Sequence, residues 1–217
     1  KLMKTLVTTI IVLSSFLVFS QEATTENSGL KLKGERGGLF SVGVRSTLSS
    51  FNGASEKPAI GAGGQFRLQF ANRLNSEWFM DYLPATNEYT RRNDLHIGWS
   101  IMFYVLKNPA PLVQPYIIAG HCFDMTDHYE IANRDNGVKR WSSAVQAGLG
   151  VHFNLTPRLD ISLSSQYMIH LGTDVHSHIE DGEVHFETHK GGSLEGHLLT
   201  TLSFNYKIVD LWNSKRK

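Results

Sequence analysis

Four of the chain's 10 histidines fall within one short stretch, DVHSHIEDGEVHFETH at residues 174–189. Asp181-Gly182 in its middle is a strong signal for a two-residue hairpin turn. A turn centred there sets Glu180 against Glu183, His178 against His185, His176 against Glu187 and Asp174 against His189. Opposed residues of a ladder share a face. His176, His178, His185, His189, Asp174 and Glu187 therefore project from one side, and Val175, Ile179, Val184 and Phe186 from the other. Neutral imidazole is a borderline ligand, and a nearby carboxylate can orient it or complete a site, so this face suits Zn²⁺, Cu²⁺ or Ni²⁺. The alternative is a hydrated hairpin whose histidines titrate near neutral pH and hydrogen-bond to the acids. A lipid-modifying enzyme would need serine, histidine and an acid together facing lipid. Ser177 lies on the opposite face from His176 and His178, so no catalytic set is read here.

The elements that carry this hairpin have a two-residue period. In Ala59–Ala71, Ile60, Ala62, Phe66, Leu68 and Phe70 alternate with Gly61, Gly63, Gln65, Arg67 and Gln69. Leu95–Leu106, Trp141–Phe153, Arg158–His170 and Ser193–Ile208 behave alike, as do the shorter runs Gly38–Ser46 and Ser76–Leu83. Pro115–Asp124 is apolar on both sides, which leaves its facing open. Short connections at Asn72–Asn75, Lys107–Gln114 and Asn154–Pro157 separate longer polar stretches near 47–58, 84–94, 125–140 and 171–192, read as loops. Short turns on one rim and long loops on the other predict an all-β, eight-stranded antiparallel up-and-down transmembrane β-barrel.

A soluble barrel would alternate too. Three features favour the membrane. The polar side mixes glycine, serine and glutamine with charges of both signs, Arg45, Arg67, Glu77, Asp81 and Glu195 among them, as an internal ion-pair network in a narrow lumen would. Aromatics on the apolar side (Phe40, Phe66, Phe70, Trp78, Phe103, Phe153, Phe204, Tyr206) gather toward the short-turn rim, as an interfacial girdle does. Runs of nine to thirteen residues can cross a bilayer at a tilt.

Lys1 and Lys4 precede an apolar run, Leu6 to Phe19, and Val18-Phe19-Ser20 fits a signal-peptide cleavage site before Gln21. The expected organisation is a signal segment at 1–20, a polar lead-in at 21–36, the barrel at 37–208 and a tail at 209–217. The net charge of +1 argues against an electrostatic nucleic-acid footprint, which would need clustered Lys and Arg. The single cysteine, Cys122, excludes an internal disulfide and reads as a small buried or lipid-facing residue.

Pro115-Tyr116-Ile117-Ile118-Ala119-Gly120 opens one strand. Gln146-Ala147-Gly148-Leu149-Gly150-Val151 forms another, and Asn154-Leu155-Thr156-Pro157-Arg158-Leu159 makes the turn and return. In these segments the chain resembles the small outer-membrane β-barrel family of Gram-negative bacteria, of the OmpA-transmembrane-domain and OmpX type. The resemblance covers residues 37 to 208 and implies an architecture but no catalytic residues. Such barrels often finish on a terminal aromatic, whereas here Val209 to Lys217 continues past Tyr206.

The leading expectation is a non-enzymatic outer-membrane protein with an envelope or surface-interaction role. Its partners would be outer-membrane lipid and an extracellular or periplasmic protein. A metal- or small-ligand-binding surface protein is second, with Zn or Cu the only cofactor implied. A lipid A-modifying enzyme is third. Carried downward, the hairpin register pairs His170 with Ser193, Met168 with Glu195 and Gln166 with His197, which would make the histidine face an extension of the lumen wall.

Overall fold

The computed structural model describes residues 37–51, 58–107, 112–180, 183–190 and 196–212; the side chains at 173–176, 179 and 187–190 are outside that description. The expected signal segment, the lead-in and Glu195 also lie outside the described residues. Among the described residues ten strands form: β1 (Leu39–Phe51), β2 (Ala59–Ala71), β3 (Leu74–Thr86), β4 (Thr90–Tyr104), β5 (Val113–Glu130), β6 (Gly137–Asn154), β7 (Leu159–Leu171), β8 (Thr173–Glu180), β9 (Glu183–Lys190) and β10 (Gly196–Asp210). Eight of them close a barrel in the order β1-β10-β7-β6-β5-β4-β3-β2, and β8 with β9 makes a separate two-stranded sheet. All barrel pairs are antiparallel, and the seam runs from Leu39 opposite Asp210 to Phe51 opposite His197. At the seam's lower end Gly38 adopts φ +95°, a left-handed conformation that glycine takes without a Cβ clash. It donates to the Gln69 carbonyl at 2.6 Å and accepts from the Leu211 amide at 2.8 Å, tying the segments that flank the seam together at the rim.

The alternation of polarity is inside out. Val44 is 60% exposed and Leu149 66%, with Ile60, Phe66, Trp78, Ile117 and Leu202 also outward. Arg45, Arg67, Glu77, Asp81, Ser100 and Asn205 are buried in the lumen. A water-soluble barrel would reverse this, because burying apolar area is what drives its folding. On the outside Phe66 stacks on Trp78 at 6.0 Å, and Trp78 meets Trp99 at 6.4 Å. A second band of exposed rings, Tyr82, Tyr89, Phe123 and Trp141, lies toward the other rim.

Two expectations change, and one question left open is resolved. The barrel strands are 13 to 18 residues long, because the stretches near 84–94 and 125–140 are ladder rather than loop. Arg92 pairs with His128, and Asp94 with Thr126, with all four turned inward. Polar residues on both faces hide the alternation there, and the true connections shrink to 87–89 and 131–136. The facing of β5 is resolved: Tyr116, Ile118, Cys122 and Asp124 enter the lumen, while Ile117 and Phe123 face out. Its apolar character on both sides reflects a lumen that is partly apolar.

The second correction concerns the hairpin. β8 and β9 keep the expected register, with His178 opposite His185 and Glu180 opposite Glu183. In the barrel, however, Met168 pairs with His197 and Gln166 with Leu199. The two registers differ by two residues, so the turn fixes pairing only within the hairpin. The hairpin forms its own two-stranded sheet and does not continue the barrel ladder. Val184 is 7% exposed, its carbonyl accepts from Asn136 Nδ2 at 2.9 Å, and the Phe186 ring lies 5.1 Å from that of His128. His178 and His185 are exposed. The apolar face thus leans on the β5–β6 end of the barrel and the imidazole face meets water, as the cost of dehydrating each would dictate.

Candidate functional site

The lumen is filled in tiers. Nearest the short-turn rim, Met102, Tyr104, Tyr116 and Ile118 form a buried cluster, with the Tyr116 and His152 rings 4.4 Å apart. Next comes the charged tier. Arg45 Nη1 donates to Glu77 Oε1 at 3.0 Å, and Arg45 Nε lies 3.0 Å from Asp81 Oδ1. Arg67 Nε donates to Glu77 Oε2 at 2.9 Å, and its Nη1 donates to Asp160 Oδ1 at 3.1 Å. Lys207 Nζ stands 3.9 Å from Asp160 Oδ2. Ser162, Ser203 and Asn205 donors and acceptors complete the tier. Three cations face three carboxylates, and burial of such a set is tolerable only because each charge is paired and hydrogen-bonded. Asp160 and Lys207 join the network that Arg45, Arg67, Glu77 and Asp81 suggest from sequence.

Phe79, Cys122, Ala144, Met168 and Leu199 form an apolar plug, with the Arg45 guanidinium 4.3 Å from the Phe79 ring centroid. A second polar tier is centred on Asp124, which is 0% exposed. His96 Nε2 at 3.3 Å, Arg140 Nη2 at 3.1 Å and His170 Nδ1 at 3.4 Å surround its carboxylate. His170 Nε2 and His197 Nε2 approach to 2.8 Å, and His197 Nδ1 lies 3.1 Å from Ser49 Oγ. Two imidazole nitrogens this close share one proton between them, one donating and one accepting. Hydroxyl, imidazole, imidazole and carboxylate thus cross the lumen from β1 to β5. Ser49 is buried and faces inward, so this array does not meet lipid.

Sequence reasoning missed this tier. His96, His170 and His197 carried a signal, each being a polar residue in an alternating run, but their convergence depends on barrel closure. The residues singled out from sequence fare unevenly. His178 and His185 are brought together, with rings 5.9 Å apart and nearly parallel at 27°. Their shared face carries Glu180, whose Oε2 is 3.8 Å from His178 Nε2, and the exposed Glu183. The backbone register places His176 opposite Glu187 and Asp174 opposite His189, but those four side chains lie outside the described residues. Among the described residues no three His, Cys, Asp or Glu side chains converge on a common metal position.

No protein-family model and no curated protein matches the chain. Solved structures do. Neisserial surface protein A aligns with a TM-score of 0.55 at 14% identity, over 78% of this chain and 97% of that one. The outer-membrane protein OprG from Pseudomonas aeruginosa aligns at 0.50 with 15% identity, over 80% and 97%. The N-terminal β-barrel domain of OprF from the same organism aligns at 0.50 with 13% identity, over 77% and 97%. Likeness at such identities concerns the fold. The inside-out closed barrel, its eight antiparallel strands and these alignments together establish that the chain has the fold of the small eight-stranded outer-membrane β-barrels.

Proposed function

We propose that the protein is a non-enzymatic, non-conducting barrel of the outer membrane that holds an extracellular surface in place, serving envelope structure or contact with another molecule. The observation that carries this reading is the filled lumen. A tyrosine–histidine tier, a neutral ionic tier, an apolar plug and a histidine–carboxylate tier follow one another along the axis, with Met102, Met168, Ala144 and Asp124 all fully buried. Eight strands enclose only enough space for side chains, and here side chains occupy it. The exterior supports the membrane setting, since a band of exposed apolar residues bounded by rings matches what lipid solvates. What is left to act is the far rim, where β5 and β6 rise as a pair of 18-residue strands and the β8–β9 hairpin leans against them. A lipid-facing serine–histidine–acid set is what the enzymatic reading would need; the Ser49–His197–His170–Asp124 array faces inward instead, and Ser177 pairs with Phe186, on the face opposite the histidines.

Reconstitution into planar bilayers or sugar-loaded vesicles tests this. The folded protein is expected to give no stable conductance steps and no swelling with small sugars. Steady single-channel conductance from heat-modifiable, folded protein would show that the lumen opens and would overturn the reading.

A further inference from the structure

The outer face of the β8–β9 hairpin carries two imidazoles and two carboxylates in one compact block. His178 and His185 oppose each other, and Glu180 and Glu183 form the next pair on the same face toward the turn. All four residues are exposed. The rest of the hairpin explains why they stay so: Val184 and Phe186 anchor the other face through Asn136 and His128. The geometry points to a divalent transition-metal site at the hairpin tip, built by His178 and His185 as the principal ligands and completed by Glu180 and Glu183, with Zn²⁺ or Cu²⁺ as the ion.

Three physical considerations lead there. Two carboxylates placed directly opposite each other repel across an antiparallel pair, and a bound dication removes that cost while using both. Imidazole nitrogens with carboxylate oxygens are a ligand set that borderline divalent ions prefer over Ca²⁺ or Mg²⁺. An isolated two-stranded hairpin is marginally stable, so a clip between its strands would order it. In the structure the His178 ring stacks on His185 and turns Nε2 toward Glu180. As the side chains stand, no three of these groups share one metal position, so the proposed ion requires the two imidazoles to turn on their water-exposed face. The set differs from the wider one read from the sequence, because it is confined to the tip. It is also independent of whether the lumen conducts.

The test uses the full chain folded in detergent or lipid vesicles, titrated calorimetrically with Zn²⁺ and followed by electron paramagnetic resonance with Cu²⁺. One saturable site is expected, with nitrogen hyperfine structure from two imidazoles. H178A and H185A should each weaken binding by about tenfold or more, and E180Q with E183Q should weaken it less. H176A with H189A should leave it unchanged. An unaltered heat-dependent gel shift in each variant confirms a folded barrel, which the hairpin's separation from the barrel ladder makes the expected outcome. No saturable binding overturns the proposal. So does binding that survives H178A/H185A, which would place the ion on other histidines such as His170 and His197, or binding lost in H176A/H189A.

Discussion

Replacing Glu77 with alanine is expected to destabilise the folded barrel by about 3–5 kcal/mol, the usual penalty for stripping a buried charge of its partner. Glu77 is the hinge of the lumen's charged tier, because its two oxygens serve different arginines, Arg45 at 3.0 Å and Arg67 at 2.9 Å. Its side chain is 6% exposed and those of the arginines 2% and 4%, so water does little to replace it. Removing it leaves Arg45, Arg67 and Lys207 facing only Asp81 and Asp160, one positive charge in excess inside the barrel. Arg45→Met together with Glu77→Met restores the balance and should recover part of the loss, though Asp81 then loses its arginine and keeps Thr47 at 3.0 Å. Urea unfolding in phospholipid vesicles, followed by tryptophan fluorescence, measures both. A single variant within about 1 kcal/mol of the parent would mean a hydrated lumen, in which charges are solvated rather than paired.

The same tier marks how far the sequence could be read. Arg45, Arg67, Glu77 and Asp81 sit at alternate positions opposite apolar neighbours, so their inward direction is local information. That Arg67 also meets Asp160, 93 residues away, depends on how the sheet closes. The histidine–carboxylate tier was beyond reach for the same reason, and Asp124 was further hidden because β5 carries Ile118 and Cys122 on its lumenal side. Above the hydrocarbon layer the outward face no longer has to be apolar. Asn93 and Asp127 face outward there while Asp94 and His128 face in, and an alternation of polar with polar reads as loop. The hairpin register was legible because Asp181-Gly182 sets it, whereas its orientation was not. Orientation depends on the change of register between barrel and hairpin and on Val184 and Phe186 finding Asn136 and His128, contacts between segments about 50 residues apart.

Leu149→Arg supplies the complementary test from the outside of the barrel. Leu149 is 66% exposed, and on a water-soluble protein an arginine there would change stability by about 0.5 kcal/mol at most. Leu149 instead lies midway along the apolar run of β6 that extends from Val145 to Phe153, with Ile117 opposite on β5. In a bilayer this position is near the hydrocarbon midplane, where arginine costs about 2–4 kcal/mol on a barrel's lipid face. Leu149→Ala separates the charge from the lost side chain and should cost less, since lipid tails fill the space a shorter residue leaves. The contrast should shrink toward the interfaces, so an arginine at Trp141, beyond the upper end of that run, is expected to cost about 0–1 kcal/mol apart from the loss of the indole. Vesicle unfolding curves for the three variants give the depth profile directly. Equal, near-zero costs at positions 149 and 141 would mean that the apolar exterior is not in lipid. The inside-out alternation would then have to be covered by protein, with a second copy of the chain or a partner taking the place of the membrane.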